Sequence, residues 1–201
     1  MRNQRNLFAI FGRIARKSSY KSMNSNQEAQ SKDLPNRHSI RLKGYDYSRS
    51  GFYFITITTN KMLHLFGRIE NKQLIGYEHE PNKMIEKWLL AIETRYEGTK
   101  IEPYIIMPNH IHFILQIANE HSFDKPYLGQ IIGWFKSMTT NEYIRGVDAG
   151  WFKPFYKRLW LRNYYEHIIR DIDDHARIWQ YIENNPAKWE EKALNKRRQE
   201  G

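Results

Sequence analysis

Cysteine is missing from all 201 residues. Disulfides, thiolate zinc sites and cysteine nucleophiles are therefore excluded, as expected of a chain kept in a reducing cytoplasm. Long apolar runs are missing too. No stretch approaches the roughly 20 residues that cross a bilayer, so no membrane partner is expected. Met1 to Arg16 holds a short apolar stretch, Leu7–Ile14, but arginine interrupts it and no clean small-residue cleavage site follows, so it resembles a signal peptide poorly. The chain also has no G-x-S-x-G, no Walker loop and no G-x-G-x-x-G, which removes the usual signatures of serine hydrolases, P-loop enzymes and dinucleotide-binding folds.

Acidic residues are scarce at one end only. The formal net charge is +10, and residues 1–50 alone hold eleven Lys/Arg against three Asp/Glu, or +8. The other 151 residues carry +2. A basic arm of this kind is the electrostatic footprint of a nucleic-acid partner, because binding phosphates releases counterions. A merely solvated basic tail is the competing reading. Residues 17–36 are rich in Ser, Asn and Gln and poor in apolar side chains, which predicts a linker without a core. The chain thus divides into a basic flexible extension over 1–36, one domain over 37–190, and a charged tail over 191–201.

Within the domain, Phe52–Thr59 is β-branched and aromatic and predicts a strand. Leu63–Glu70 and Lys72–Gly76 predict a second strand and its continuation. Met84, Ile85, Trp88, Leu89 and Ile92 repeat with helical period over Glu80–Tyr96. Lys100–Met107 and His110–Ile117 predict two strands, and the short Pro108-Asn109 break between them predicts an antiparallel hairpin. Pro126–Arg145 predicts a helix with Leu128, Ile131, Ile132, Phe135 and Met138 as its apolar stripe. Gly146–Trp160 predicts an aromatic-rich loop. Asp171–Asn184 predicts a last helix, with acidic residues in its first turn, Pro186 as its stop and a frayed end beyond Trp189. Ile172, His175, Trp179 and Ile182 are its predicted buried face. The order of elements predicts an α+β fold with helices packed on an antiparallel sheet.

Two clusters could carry chemistry. Alternate residues of a strand share a face, so His110 and His112 converge, and two imidazoles at i and i+2 make half of a metal site. Two histidines hydrogen-bonded on a sheet surface is the plainer alternative. In the last helix Tyr181 and Asn185 are four residues apart and share a face. Two imidazoles plus an amide oxygen leave positions open for water or phosphate, which suits Mg²⁺ or Mn²⁺ better than a closed zinc site. Tyr181 alone could equally be a packing residue. Trp151, Phe152, Phe155, Tyr156 and Trp160 alternate with Lys153, Lys157, Arg158 and Arg162, a pattern that stacks bases on a single strand or simply anchors a loop.

Ile106-Met107-Pro108-Asn109-His110-Ile111-His112, then Asn163 to Arg170 (NYYEHIIR), then Tyr181-Ile182 with Asn184-Asn185-Pro186, occur in that order. Together with Ser39–Tyr47 and Phe66-Gly67, they resemble the motifs of REP-associated tyrosine transposases, within the wider group of single-tyrosine transposases that carry an HUH motif. The resemblance runs from about Arg37 to Trp189. It implies a ferredoxin-like fold of HUH endonuclease type, an antiparallel sheet with helices on one face. It further implies that His110 and His112 bind a divalent metal, that Tyr181 is the nucleophile, and that Asn185 completes the metal site. Related transposases carry Gln where this chain carries the shorter Asn185. The implied substrate is a single-stranded DNA hairpin from a palindromic repeat, cut and rejoined through a 5′-phosphotyrosine by a monomer or homodimer.

Lys136, Arg162 and Arg170, with Arg41 and Lys43 of the Ser39–Tyr47 motif, are the expected DNA contacts. Two other classes remain open on the residues alone. One is a non-catalytic single-stranded nucleic-acid-binding protein of the same fold, stacking bases on Phe52 and Phe54. The other is a zinc hydrolase that adds His167 to His110 and His112.

Overall fold

The computed structural model describes Leu42, residues 44–118 and residues 126–200. The extension over 1–36 and the proposed DNA contacts Arg41 and Lys43 lie outside the described residues. In chain order the elements are β1 (Gly51–Thr58), β2 (Arg68–Glu70), β3 (Gln73–Ile75), α1 (Pro81–Arg95), β4 (Thr99–Ile106), β5 (His110–Ile117), α2 (Leu128–Asp148), β6 (Tyr165–Ile169), α3 (Ile172–Glu183) and α4 (Asn185–Glu200). The main sheet has the order β4-β5-β1-β6, and every neighbouring pair in it is antiparallel. With β2–β3 set aside as a separate hairpin, the path β1-α1-β4-β5-α2-β6 is the split βαβ arrangement of ferredoxin-like folds.

Strict alternation along β1 and β5 divides the core. Tyr53, Ile55 and Ile57 of β1 and Ile111, Phe113 and Leu115 of β5 point to one face, where Leu89 and Ile92 of α1 and Ile131, Ile132 and Phe135 of α2 cover them. These side chains are almost wholly buried. Phe54 and Ile114 point to the other face and join Ile169, Ile178 and Ile182 in a second, smaller cluster. The helices are therefore not all on one face: α1 and α2 share the first, and α3 covers the second.

The β4–β5 hairpin closes as its Pro-Asn break predicts, with the Met107 N–H donating to His110 O at 2.8 Å. The turn is also held from outside. Leu65 and Phe66 donate to Pro108 O, Thr59 donates to Asn109 O, and the Asn109 amide donates to Met62 O. Residues 63–67 are thus not the start of a strand; they wrap the turn, and only Arg68–Glu70 pairs, with Gln73–Ile75. Gly67 sits where a Cβ would lie 2.4 Å from Ile75 O, at φ +152°, which explains the glycine. The β2–β3 turn residues Asn71 and Lys72 both have positive φ, the backbone of a tight two-residue hairpin.

Three further expectations are corrected. β6 falls inside the Asn163–Arg170 motif, a stretch with no alternating pattern of its own, because its apolar residues lie on both faces. On α3 the buried residues are Asp174, Ile178 and Ile182, whereas Ile172 is 78% exposed. The chain after Asn184 does not fray either. Pro186 sits in the first turn of α4, where a missing N–H costs nothing, and the helix runs on to Glu200. Glu190 accepts from the Asn71 and Lys72 N–H groups and ties α4 to the β2–β3 turn.

The α3 assignment has a direct test. Ile178→Ala removes a buried branched side chain and is expected to cost about 2–5 kcal/mol in chemical denaturation. Ile172→Ala should stay within about 0.5 kcal/mol. Comparable losses at both positions would contradict the packing.

Candidate functional site

The second sheet face carries polar side chains in register. His112 of β5 lies opposite Thr56 of β1, and Thr56 lies opposite Tyr165 of β6; one row on, Ile114, Phe54 and His167 are aligned in the same way. His110 and His112 converge as their i, i+2 spacing predicts, with ring centroids 4.6 Å apart at 74°. His110 Nδ1 is 2.7 Å from Asn109 Oδ1 and His112 Nδ1 is 2.8 Å from Thr56 Oγ1. At His112 this leaves the Nε2 side of the ring for a ligand.

α3 brings the tyrosine to this pair. Tyr181 follows Asp174 by two helical turns, so both face the sheet. Its ring lies 5.3 Å from that of His112 and meets the Phe54 ring edge-on at 5.8 Å. Phe54 in turn stacks on His112 at 5.4 Å. Asn185 is one turn further along, buried, and its amide hydrogen-bonds the His110 ring. Four side chains predicted from two distant segments, His110, His112, Tyr181 and Asn185, therefore occupy one site.

Burial decides the protonation of the histidines. Desolvation pushes His110 down to about 4, helped by the field of His64 and opposed by the Asn185 hydrogen bond. Desolvation and the neighbouring His110 push His112 down to about 3. Both rings are neutral at neutral pH, with lone pairs available to a cation. Among the described residues no group of three His, Cys, Asp or Glu forms a metal cluster, so His167 does not join the pair and the three-histidine zinc set is not assembled. The third donor within reach is the Asn185 amide.

Sequence reasoning missed several members. Trp189 of α4 packs 5.7 Å from His110 and 5.4 Å from His64, closing the outer side of the pair. The Lys188 ammonium sits 5.5 Å over the Tyr181 ring. Phe54, a base-stacking surface only in the non-catalytic alternative, is covered by α3. Beside Tyr181 a recess of about 390 Å³ opens, lined by Phe54, Tyr165, His167, Asp174, Arg177, Ile178 and Tyr181. Only the pairing of β1 with β6 places His167 there, and no local pattern signals that pairing.

The expected DNA contacts are scattered. Lys136 donates to the carbonyls of Leu161, Arg162 and Asn163 at 2.9–3.4 Å, so its ammonium braces the connection into β6. Arg162 is exposed. Arg170 lines a separate recess with Phe52, Ile169 and His175.

The buried, neutral histidines make a signed prediction. Their folded values lie below the 6.5 of a free imidazole, so the unfolded chain binds more protons as the pH falls. Their contribution to stability is complete above about pH 6.5 and is lost as pH drops through about 4 and 3. Thermal melts from pH 7.5 to pH 4 should show a falling Tm, with a shallower slope for His112→Asn. Equal slopes in the two proteins would contradict the burial.

Residues 57–185 match the family model described as "Transposase IS200 like". A Haemophilus influenzae protein of uncharacterised function is 34% identical over 177 residues, covering 80% of this chain and 94% of its own. A second H. influenzae protein, named as a REP-associated tyrosine transposase, is 26% identical and covers 71% of this chain and 74% of its own. A solved REP-associated tyrosine transposase bound to a REP hairpin shares the fold, with a TM-score of 0.50 at 19% identity, covering 74% of each chain. The family match spans both histidines, Tyr181 and Asn185, and no helix among the described residues is long and apolar enough to cross a membrane. The chain belongs to the IS200-like transposase family, and one of its relatives there is named as a REP-associated tyrosine transposase.

Proposed function

We propose that this transposase cuts and rejoins hairpin-forming single-stranded DNA of palindromic repeats, in the cytoplasm, through a covalent 5′-phosphotyrosine on Tyr181. The observation that carries the reading is the seating of the Tyr181 ring 5.3 Å from the buried, neutral His112 beside His110. A neutral phenol is a weak nucleophile, so the site must stabilise charge at phosphorus.

The donor set fits a hard divalent cation, Mg²⁺ or Mn²⁺. Two imidazoles have their Nδ1 atoms occupied by Asn109 and Thr56, and a buried amide stands beside them. His110, His112 and Asn185 would hold the ion. When bound it supplies Lewis acidity to the scissile phosphate.

The protein's own residues do the rest. Phe54 fixes the His112 ring by stacking and the Tyr181 ring by its edge, which limits the rotation of both. The Lys188 ammonium adds a positive field beside Tyr181 that favours an approaching phosphate. Attack by the Tyr181 oxygen transfers the 5′-phosphoryl end to the protein and frees a 3′-hydroxyl. A 3′-hydroxyl can later reverse the step, so the phosphodiester is conserved without a nucleotide cofactor.

The test uses hairpin-bearing single-stranded DNA labelled at either end, incubated with Mn²⁺. Wild type should form a protease-sensitive adduct on the 5′ end of the downstream fragment, and Tyr181→Phe should form none. His110→Ala should lower adduct formation about 100-fold or more, the scale of a lost metal-assisted step. Hairpin binding with no adduct across several palindromes and metals would favour a non-catalytic DNA-binding protein.

A further inference from the structure

The recess beside Tyr181 holds a second constellation that the metal site does not use. His167 of β6 and Asp174 of α3 meet there, with Nε2 and Oδ2 2.7 Å apart. Asp174 is only 8% exposed and is held on every side: it accepts from the Arg177 guanidinium at 2.5 Å, and its backbone N–H donates to the Asp171 side chain. Its hydrogen bond to His167, then that to Arg177, keeps the carboxyl below the usual carboxylate range, against the opposing effect of its burial. A charged carboxylate facing Nε2 fixes the imidazole in the tautomer with the proton on that nitrogen, and Nδ1 is left with its lone pair.

Cleavage by a tyrosine requires an acceptor for the phenol proton. The metal-site histidines are poorly suited, because a bound cation would take their lone pairs. Asn185 has no basicity. Of the groups lining the recess, Phe54 and Ile178 are inert, Arg177 carries only donors, and Asp174 is committed to two cationic or polar partners. Tyr165 is itself a phenol. Lys188, facing Tyr181 from α4, is a cation. His167 is the remaining acceptor, and it borders the same recess as Tyr181, one strand from Phe54, against whose ring Tyr181 packs.

We propose that His167, oriented by Asp174, is the general base that accepts the Tyr181 proton during strand cleavage. This rests on Tyr181 being the nucleophile. The Tyr181 oxygen forms its bond to phosphorus while its proton passes to His167 Nδ1, directly or through one water. The bond from phosphorus to the upstream 3′ oxygen breaks, and its electron pair stays on that oxygen. The imidazolium then returns the proton to the departing 3′ oxygen, so no net proton is exchanged. Rejoining is the same path reversed, with His167 accepting from the incoming 3′-hydroxyl.

The experiment measures adduct formation by the full-length protein in Mn²⁺, with hairpin affinity as the folding control. His167→Ala should keep hairpin affinity within about twofold and lower the cleavage rate by about 100-fold to 10,000-fold, the range of general acid–base contributions. Asp174→Asn should lower it less, because it misorients the imidazole without removing it. Site-specific replacement of Tyr181 by a trifluorotyrosine, whose phenol is ionised at neutral pH, should restore most of the rate lost in His167→Ala. A merely structural role for His167 predicts no such restoration. An unchanged rate in His167→Ala, or a loss that the acidic phenol does not restore, would overturn the proposal while leaving the nucleophile assignment standing. An adduct that persists in Tyr181→Phe would instead overturn the nucleophile assignment, and this proposal with it.

Discussion

The site depends on one packing event, the seating of α3 on the second face of the sheet. Five apolar side chains, Phe54, Ile114, Ile169, Ile178 and Ile182, make that contact, and Ile105 packs against them. Each large side chain taken out of water contributes about 1.5–3 kcal/mol, so the cluster is small but sufficient to dock a helix already capped by Asp171. Docking has three chemical consequences. It buries His112 and helps keep it neutral, brings Tyr181 beside it, and sets Asp174 against His167. The position of the tyrosine, the burial of His112 and the proposed base are thus consequences of one interface.

The other sheet face supplies rigidity. The large core under α1 and α2 holds β1 and β5 in register, and β1 and β5 carry Phe54, Thr56, His110 and His112. The Pro108-Asn109 turn is gripped by the backbone of residues 59–66, so the strand bearing both histidines starts from a fixed point. α4 then reaches back, with Trp189 against His110 and Glu190 on the β2–β3 turn. Precision in the histidine pair comes from strands, and precision in the tyrosine comes from a helix; neither depends on a loose loop.

Much of this was legible in the sequence where one local period governs. Alternation in β5 placed His110 and His112 on a common face, and the i, i+4 spacing placed Tyr181 and Asn185 together. What escaped was set by pairings that no local pattern encodes. β6 escaped because Tyr165–Ile169 alternates poorly. His167 was therefore considered only as a ligand, when register with Phe54 puts it beside the tyrosine. On α3 the periodic reading chose Ile172, His175, Trp179 and Ile182, a stripe that shares only Ile182 with the buried one. It could not foresee that a carboxylate, Asp174, would be buried once His167 and Arg177 satisfied it. Lys136 looked like a phosphate contact from its charge alone, but three carbonyl oxygens occupy it.

Of the thirteen tyrosines, Tyr181 is the one proposed to carry the DNA. Peptide mapping by mass spectrometry of the protease-digested, nuclease-trimmed adduct tests it most directly. A nucleotide mass is expected on the peptide containing Tyr181, with fragmentation placing it on that residue. A nucleotide on any other residue, including the nearby Tyr165, would contradict it.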